Sequence, residues 1–218
     1  MDFYFTDRKF NLLGIASTSS DAPISIFNDQ DILSISAASR TFEGTLIFSA
    51  KERDQVKSMA NYGNYILYKD ENGQSIFMTI MEIEHDPKEG EHFIRAEDAG
   101  MDLINGLVDA YSATKAMTFA EYFELFAGDT GFEIGINEIS NLSRTLKWES
   151  ESQTILARLL SLATQFDNAE LSFSFEITGT QVVKRFVDVH RKRGADRRIT
   201  LYMDTDINNI LTKANIYD

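Results

Sequence analysis

The sequence predicts an α+β fold, and three observations predict it. Strand-like segments are grouped toward the two ends of the chain and do not alternate regularly with helices. Capping-box patterns, in which a Ser or Thr and a residue three places on satisfy free N–H groups at a helix start, occur at Ser49, Thr118 and Ser150. A late segment, Leu171 to Thr178, alternates apolar and polar residues without a break. With 218 residues, 43% hydrophobic and 25% charged, the chain has the material for one large domain or two modest ones.

In chain order, Asn11 to Thr18 is a mixed apolar stretch, and Ile32–Ser36 and Thr45–Phe48 have strand-like content. Ser49-Ala50-Lys51-Glu52 opens a short helix through Met59, with Val56, Met59 and Ala60 on one face. Asn72-Gly73 lies between Tyr65–Tyr68 and Ile76–Ile80. Both residues tolerate positive φ, so a β-hairpin is expected there. A second hairpin turns at residues 86–90, with Phe93 to Ala96 as the return strand.

After Asp98 the character changes. Asp98 caps a helix with Met101, Ile104, Leu107 and Val108 on its apolar face. Thr118 opens another, with Phe119, Tyr122, Phe123 and Phe126 at helical spacing and Gly128 as the stop. Ser150-Glu151-Ser152-Gln153 leads a third, with a stripe of Ile155, Leu156, Leu159, Leu162, Ala163 and Phe166. Strands return with Leu171, Phe173, Phe175 and Ile177 on one face, a turn at Gly179-Thr180, a partner over Val182 to Val189, and a further strand at Ile199, Leu201 and Met203. The boundary falls near residues 98–100, between a β-rich unit of 1–98 and an α+β unit of 99–205, with 206–218 starting something further.

No apolar run approaches the ~20 residues of a membrane span, so no membrane is expected. The absence of Cys removes thiol chemistry and disulfides, which fits assembly in a cytoplasm. The formal net charge is -13, all of it on residues 1–150, since residues 151–218 carry 9 basic and 9 acidic side chains. A chain of that charge is repelled by phosphate backbones except where its cations gather. They gather at Lys184, Arg185, Arg191, Lys192, Arg193, Arg197 and Arg198, along the edge of a hairpin turning near Gly194. Two readings of this cluster stay open: a solvated edge kept from aggregating by its charge, or a dock for an acidic partner such as a second copy of the chain.

Asp129-Thr130-Gly131 matches the tripeptide of retroviral-type aspartic proteases. That chemistry needs two such carboxylates sharing a proton at the tips of buried strands, whereas this one follows the Gly stop of an amphipathic helix. It reads as a turn. Glu84-His85-Asp86, with Glu89, Glu91 and His92, crowds possible metal ligands at the second hairpin, but the spacing matches no zinc pattern, and an exposed turn is expected. His190 has no Ser or Asp beside it in a pattern that reads as a triad. The expectation is therefore no catalytic residue, no cofactor and no metal. A hydrolase using Asp129, or His85 and His92, is the alternative, and a cell-wall-binding module is a third class.

Several stretches together resemble a family: Lys9 to Ser17, Asn64 to Gly73, Ala96 to Asn105, Gly131 to Glu138 and Leu162 to Glu170. They resemble the N-terminal region of siphophage minor tail proteins, the tail-associated lysins or prophage endopeptidase tail proteins of phages infecting Gram-positive bacteria. The resemblance implies a fold similar to phage baseplate hub proteins, with a β-barrel-like tube domain followed by a smaller α+β domain inserted before a second tube domain. It implies a structural role at the virion tail tip without enzymatic activity in this region, any lytic module lying C-terminal to it. It also implies a homotrimer of the full-length protein, a distal tail protein ring and a tape-measure protein as partners, and DNA only as passing cargo.

Overall fold

The structure is a computed structural model and describes residues 1–34, 39–86, 90–149 and 152–193. Seven strands close into a barrel: β1 (Asp2–Thr6), β2 (Leu12–Ser17), β3 (Ile24–Ser34), β4 (Ser39–Phe48), β5 (Tyr65–Lys69), β6 (Ser75–Asp86) and β7 (Glu91–Asp98). Their order is β1-β2-β3-β4-β7-β6-β5, with β5 returning to β1. Six of the seven joins are antiparallel ladders, while β2 meets β3 through one parallel pair, Ser17 and Ser25. The period-2 alternation turns Phe3, Phe5, Ile26, Phe42, Leu46, Ile66, Met78 and Ile80 inward to make one core. In β3 the register shifts between Phe27 and Gln30, where Asn28 takes φ 52°, a left-handed conformation that Asn tolerates.

A short helix, α1 (Arg53–Met59), packs against β2 and β4. Val56, Met59 and Ala60 are fully buried, the face expected from the sequence. Any side chain at Gly14 of β2 would run into Met59, so this glycine is what lets helix and strand approach.

The second unit opens with a 3-10 turn (Ala99–Ile104). It continues through β8 (Leu107–Val108), β9 (Tyr111–Ser112), β10 (Met117–Thr118), α2 (Phe119–Ala127), β11 (Glu133–Asn137), β12 (Ser143–Arg144), β13 (Lys147–Trp148), β14 (Gln153–Thr154), α3 (Ile155–Gln165), β15 (Glu170–Thr178) and β16 (Gln181–His190). β15 and β16 form an antiparallel hairpin, turned at Gly179 with φ 61°, and β11 joins β16 in parallel. The two-residue strands pair as β8–β14, β9–β13 and β10–β12. A second core gathers the expected stripes of α2 and α3 with Trp148, Leu171 and Phe173, and it takes in Leu67 and Phe77 from the outer face of the barrel. There Phe77 meets Phe175 edge-on, 5.5 Å between centroids.

Several expectations need correction. α1 starts at Arg53, and its N-cap Glu52 makes no side-chain capping bond; the Ser49 hydroxyl instead donates to the Glu52 carboxylate. Asp98 does cap, accepting from the Gly100 amide at 2.7 Å, but the segment it starts is the short 3-10 turn, not an α-helix. Gly106 interrupts it, and a side chain there would strike Ile155 of α3. Leu107 consequently lies 70% exposed in β8, not on a buried helical face. α3 is capped by Thr154, which accepts from the Ala157 amide, and not from position 150, because Gln153–Thr154 is held as a strand against β8. In the β5–β6 turn only Gly73 has positive φ, while the Asp70 carboxylate accepts from the amides of Asn72 and Gln74. The strand expected at residues 199–203 and the turn near Gly194 lie outside the described residues.

Candidate functional site

The β6–β7 ladder sets His85 opposite His92 and so brings together the two histidines singled out in the sequence. Their Nδ1 atoms lie 2.8 Å apart, and His92 Nε2 lies 2.8 Å from the Ala60 carbonyl at the end of α1. Residues 87–89 of the expected exposed turn, Glu89 among them, lie outside the described residues; Glu84, Asp86 and Glu91 are exposed as expected, but His92 is 2% exposed, because α1 closes over the base of the hairpin. Burial, then the positive charges of Lys57 and Arg53, hold the His85 ring below the usual histidine range, with Asp86 acting the other way. Burial likewise pushes His92 down, against the pull of the Ala60 carbonyl and with His85 and Lys57 adding to it. Among the described residues, no group of three or more His, Asp or Glu side chains is placed to hold a metal ion.

At the other end of the β3–β4 hairpin is a charge network that the sequence did not reveal. Arg40 grips Asp31 through two bonds of 2.7 Å and reaches Asp70 at 3.1 Å, and the Tyr68 hydroxyl donates to Asp31 at 2.8 Å. Burial and the neighbouring Asp31 carboxylate both drive the Tyr68 hydroxyl upward, so it stays a proton donor. These residues line a recess of about 340 Å³. The bidentate Arg fork suits structural tying of β3, β4 and the β5–β6 turn.

His190 has partners after all. Its Nε2 lies 3.3 Å from the Ser172 hydroxyl and its Nδ1 3.5 Å from Glu138. The Arg191 amide, then His190, holds the Glu138 carboxyl below its usual range. The trio has the order of a nucleophile, a base and an orienting acid. Ser172, however, is 8% exposed in the middle of a strand, not presented on a sharp strand-to-helix turn. What the contacts do is staple β15, β16 and the end of β11 together. Beside them Asp188 accepts from the Ile136 amide at 2.7 Å, satisfying the backbone where β11 departs from regular pairing.

Asp129 is exposed in the turn after α2, where Thr130 donates to the Ala127 carbonyl at 2.6 Å, so the tripeptide lies on a helix-to-strand turn. Of the basic cluster, Lys184 pairs with Glu133 at 3.4 Å. Arg185 donates to the Thr130 carbonyl and stacks over Phe132, while Arg191 donates to the Glu138 carbonyl and Asn141. These cations therefore tie β16 to β11 and its flanking turns. Arg197 and Arg198 lie outside the described residues. No helix among the described residues is long and apolar enough to cross a membrane.

No protein-family model matches the sequence, and no curated protein matches it. Solved structures do. The prophage tail protein gp18 from Listeria monocytogenes EGD-e matches with a TM-score of 0.60 at 15% identity, over 94% of this chain and 56% of that one. A tail protein from Neisseria meningitidis MC58 (TM-score 0.46, 14% identity, 75% of this chain and 44% of that one) and the 43 kDa tail protein of prophage MuSo2 from Shewanella oneidensis (0.45, 15%, 76% and 49%) match more loosely. This chain spans about half the length of each of these proteins. Its fold is similar to that of a prophage tail protein, with a closed seven-stranded barrel and an α+β unit.

Proposed function

We propose that this chain is a structural part of a bacteriophage or prophage tail tip, the baseplate hub that closes the tail tube and carries host-wall modules C-terminal to residue 218. The observation that carries the reading is the closed barrel set in a fold shared, over 94% of the chain, with a prophage tail protein. In this reading residues 1–98 are the tube-like domain, 99–205 the inserted domain and 206–218 the start of the next; one core lying wholly within residues 1–98 supports the first boundary, although the second core also takes in Leu67 and Phe77. The region itself is not an enzyme. Its partners are two further copies in a trimer of the full-length protein, the distal tail protein ring and the tape-measure protein. DNA passes as cargo, in keeping with an acidic first half that repels phosphate. The test is the mass in solution of the full-length protein, alone and with the distal tail protein. A trimer or a joint ring is expected, and a strict monomer that ignores the distal tail protein would overturn the reading.

A further inference from the structure

The contacts of His85 and His92 dictate where their protons sit. A backbone carbonyl only accepts, so the His92 Nε2 that faces Ala60 at 2.8 Å carries a hydrogen. In the neutral ring His92 Nδ1 is then a bare lone pair, and His85 Nδ1, 2.8 Å away, must donate to it. His85 is thereby held as its Nδ1–H tautomer. Its Nε2 is buried with no hydrogen-bond partner among the described residues. One additional proton fits: whichever ring takes it, a single N–H can still bridge the two Nδ1 atoms. A second proton does not fit, because two N–H groups would then face each other at hydrogen-bond distance.

We propose that the His85–His92 pair is a two-proton latch, fastening the C-terminal end of α1 to the β6–β7 hairpin and releasing it when both rings are charged. The joined parts are well defined. Ala60 donates its amide to the Val56 carbonyl, the last bond of α1, and offers its own carbonyl to His92. The neighbouring Met59 packs on Gly14 of β2, so release loosens the helix from the barrel wall. Every element packed around the pair has a part in the balance. From α1, Lys57 and Arg53 oppose added positive charge. Phe48 of β4 stacks on the His85 ring, 6.1 Å between centroids, and partial burial opposes its charging. On β6, Asp86 favours charge on His85. The first two influences outweigh the last, so the latch is shut at neutral pH and opens only below the ordinary histidine value of about 6.5. The latch works in the same way whether or not the chain closes a tail tube.

The test is nitrogen-resolved NMR of the imidazole rings against pH in the unmodified chain, with hydrogen exchange at the Ala60 amide followed alongside. At neutral pH His92 should carry its proton on Nε2 and His85 on Nδ1, and the pair should take up two protons in separate steps. Ala60 protection should hold through the first step, fall about tenfold per pH unit on the approach to the second, as uptake of one linked proton requires, and level off below it. A His85 that carries its proton on Nε2 at neutral pH would overturn the proposal, as would an Ala60 amide insensitive to the second step. In His85→Phe only one imidazole is left, so the two-step uptake should reduce to a single step, the charging of His92, still opposed by burial and Lys57; an acid loss of Ala60 protection with the same pH course as in the unmodified chain would also overturn the latch.

Discussion

Asp98 ends β7, caps the 3-10 turn and is 6% exposed, so its carboxyl is dehydrated at the point where the barrel hands over to the second unit. Burial pushes it up to about 7, against the Gly100 amide and the charge of Arg40, which favour the anion. The folded form therefore keeps a proton that the unfolded chain releases near 3.9, and Asp98 makes stability fall as pH rises from about 4 to about 7. The histidine pair slopes the other way, since its rings are pushed down and the unfolded chain binds protons more readily. Comparison with Asp98→Asn separates the two: in urea unfolding, the unmodified chain should lose stability relative to this variant across pH 4 to 7, with no further change above about 8. At this scale the sequence is legible only where neighbours are local. The second hairpin, read from local turn residues, sets His85 opposite His92. The contacts of Arg40 with Asp31 and Asp70, and of Tyr68 with Asp31, join residues 9, 30 and 37 places apart, and nothing local encodes them.

The three capping boxes read from the sequence had three different outcomes, which shows what such a pattern specifies. At Thr118 both reciprocal bonds form, even though the Thr hydroxyl also donates to the Glu121 carboxylate at 3.0 Å. At Ser49 the two side chains bond each other, neither caps the helix, and α1 starts only at Arg53. At position 150 the function passed to Thr154, since strand pairing with β8 holds the preceding residues extended. Thr118→Ala should accordingly cost about 1 kcal/mol in denaturant unfolding, and Ser49→Ala distinctly less, because α1 has no cap bond to lose. The stripes of α2 and α3 proved firmer than helix boundaries, while the stripe expected after Asp98 failed at Ile104 and Leu107, both exposed. Every residue of the predicted α3 stripe is buried, while Arg158 joins it unannounced, its guanidinium lying over Phe126 and Trp148.

For the molecule as a whole, the β15–β16 hairpin was legible from alternation and several barrel strands from their composition, but β1 and the start of β3 were not, nor was closure of the barrel, because the pairing of β1 with β5 joins segments about sixty residues apart. Nor did the sequence show that the outer faces of β5 and β6 are covered by the second unit. Leu67 and Phe77 read as ordinary strand residues, but Phe77 is enclosed by Phe175 together with Tyr65 and Phe10. Phe77→Ala should cost about 3–5 kcal/mol in urea unfolding, the range for a buried aromatic and far above that for an outward-facing barrel residue. The lone Ser17–Ser25 pair between β2 and β3 has a different consequence. Six ladders make the barrel a continuous sheet from β2 round to β3, and one pair holds its two free margins together. Such a cylinder is a rolled sheet tacked at a single point. Apart from α1, which packs against both β2 and β4 and so spans that line, little opposes an unrolling there that leaves the ladders intact.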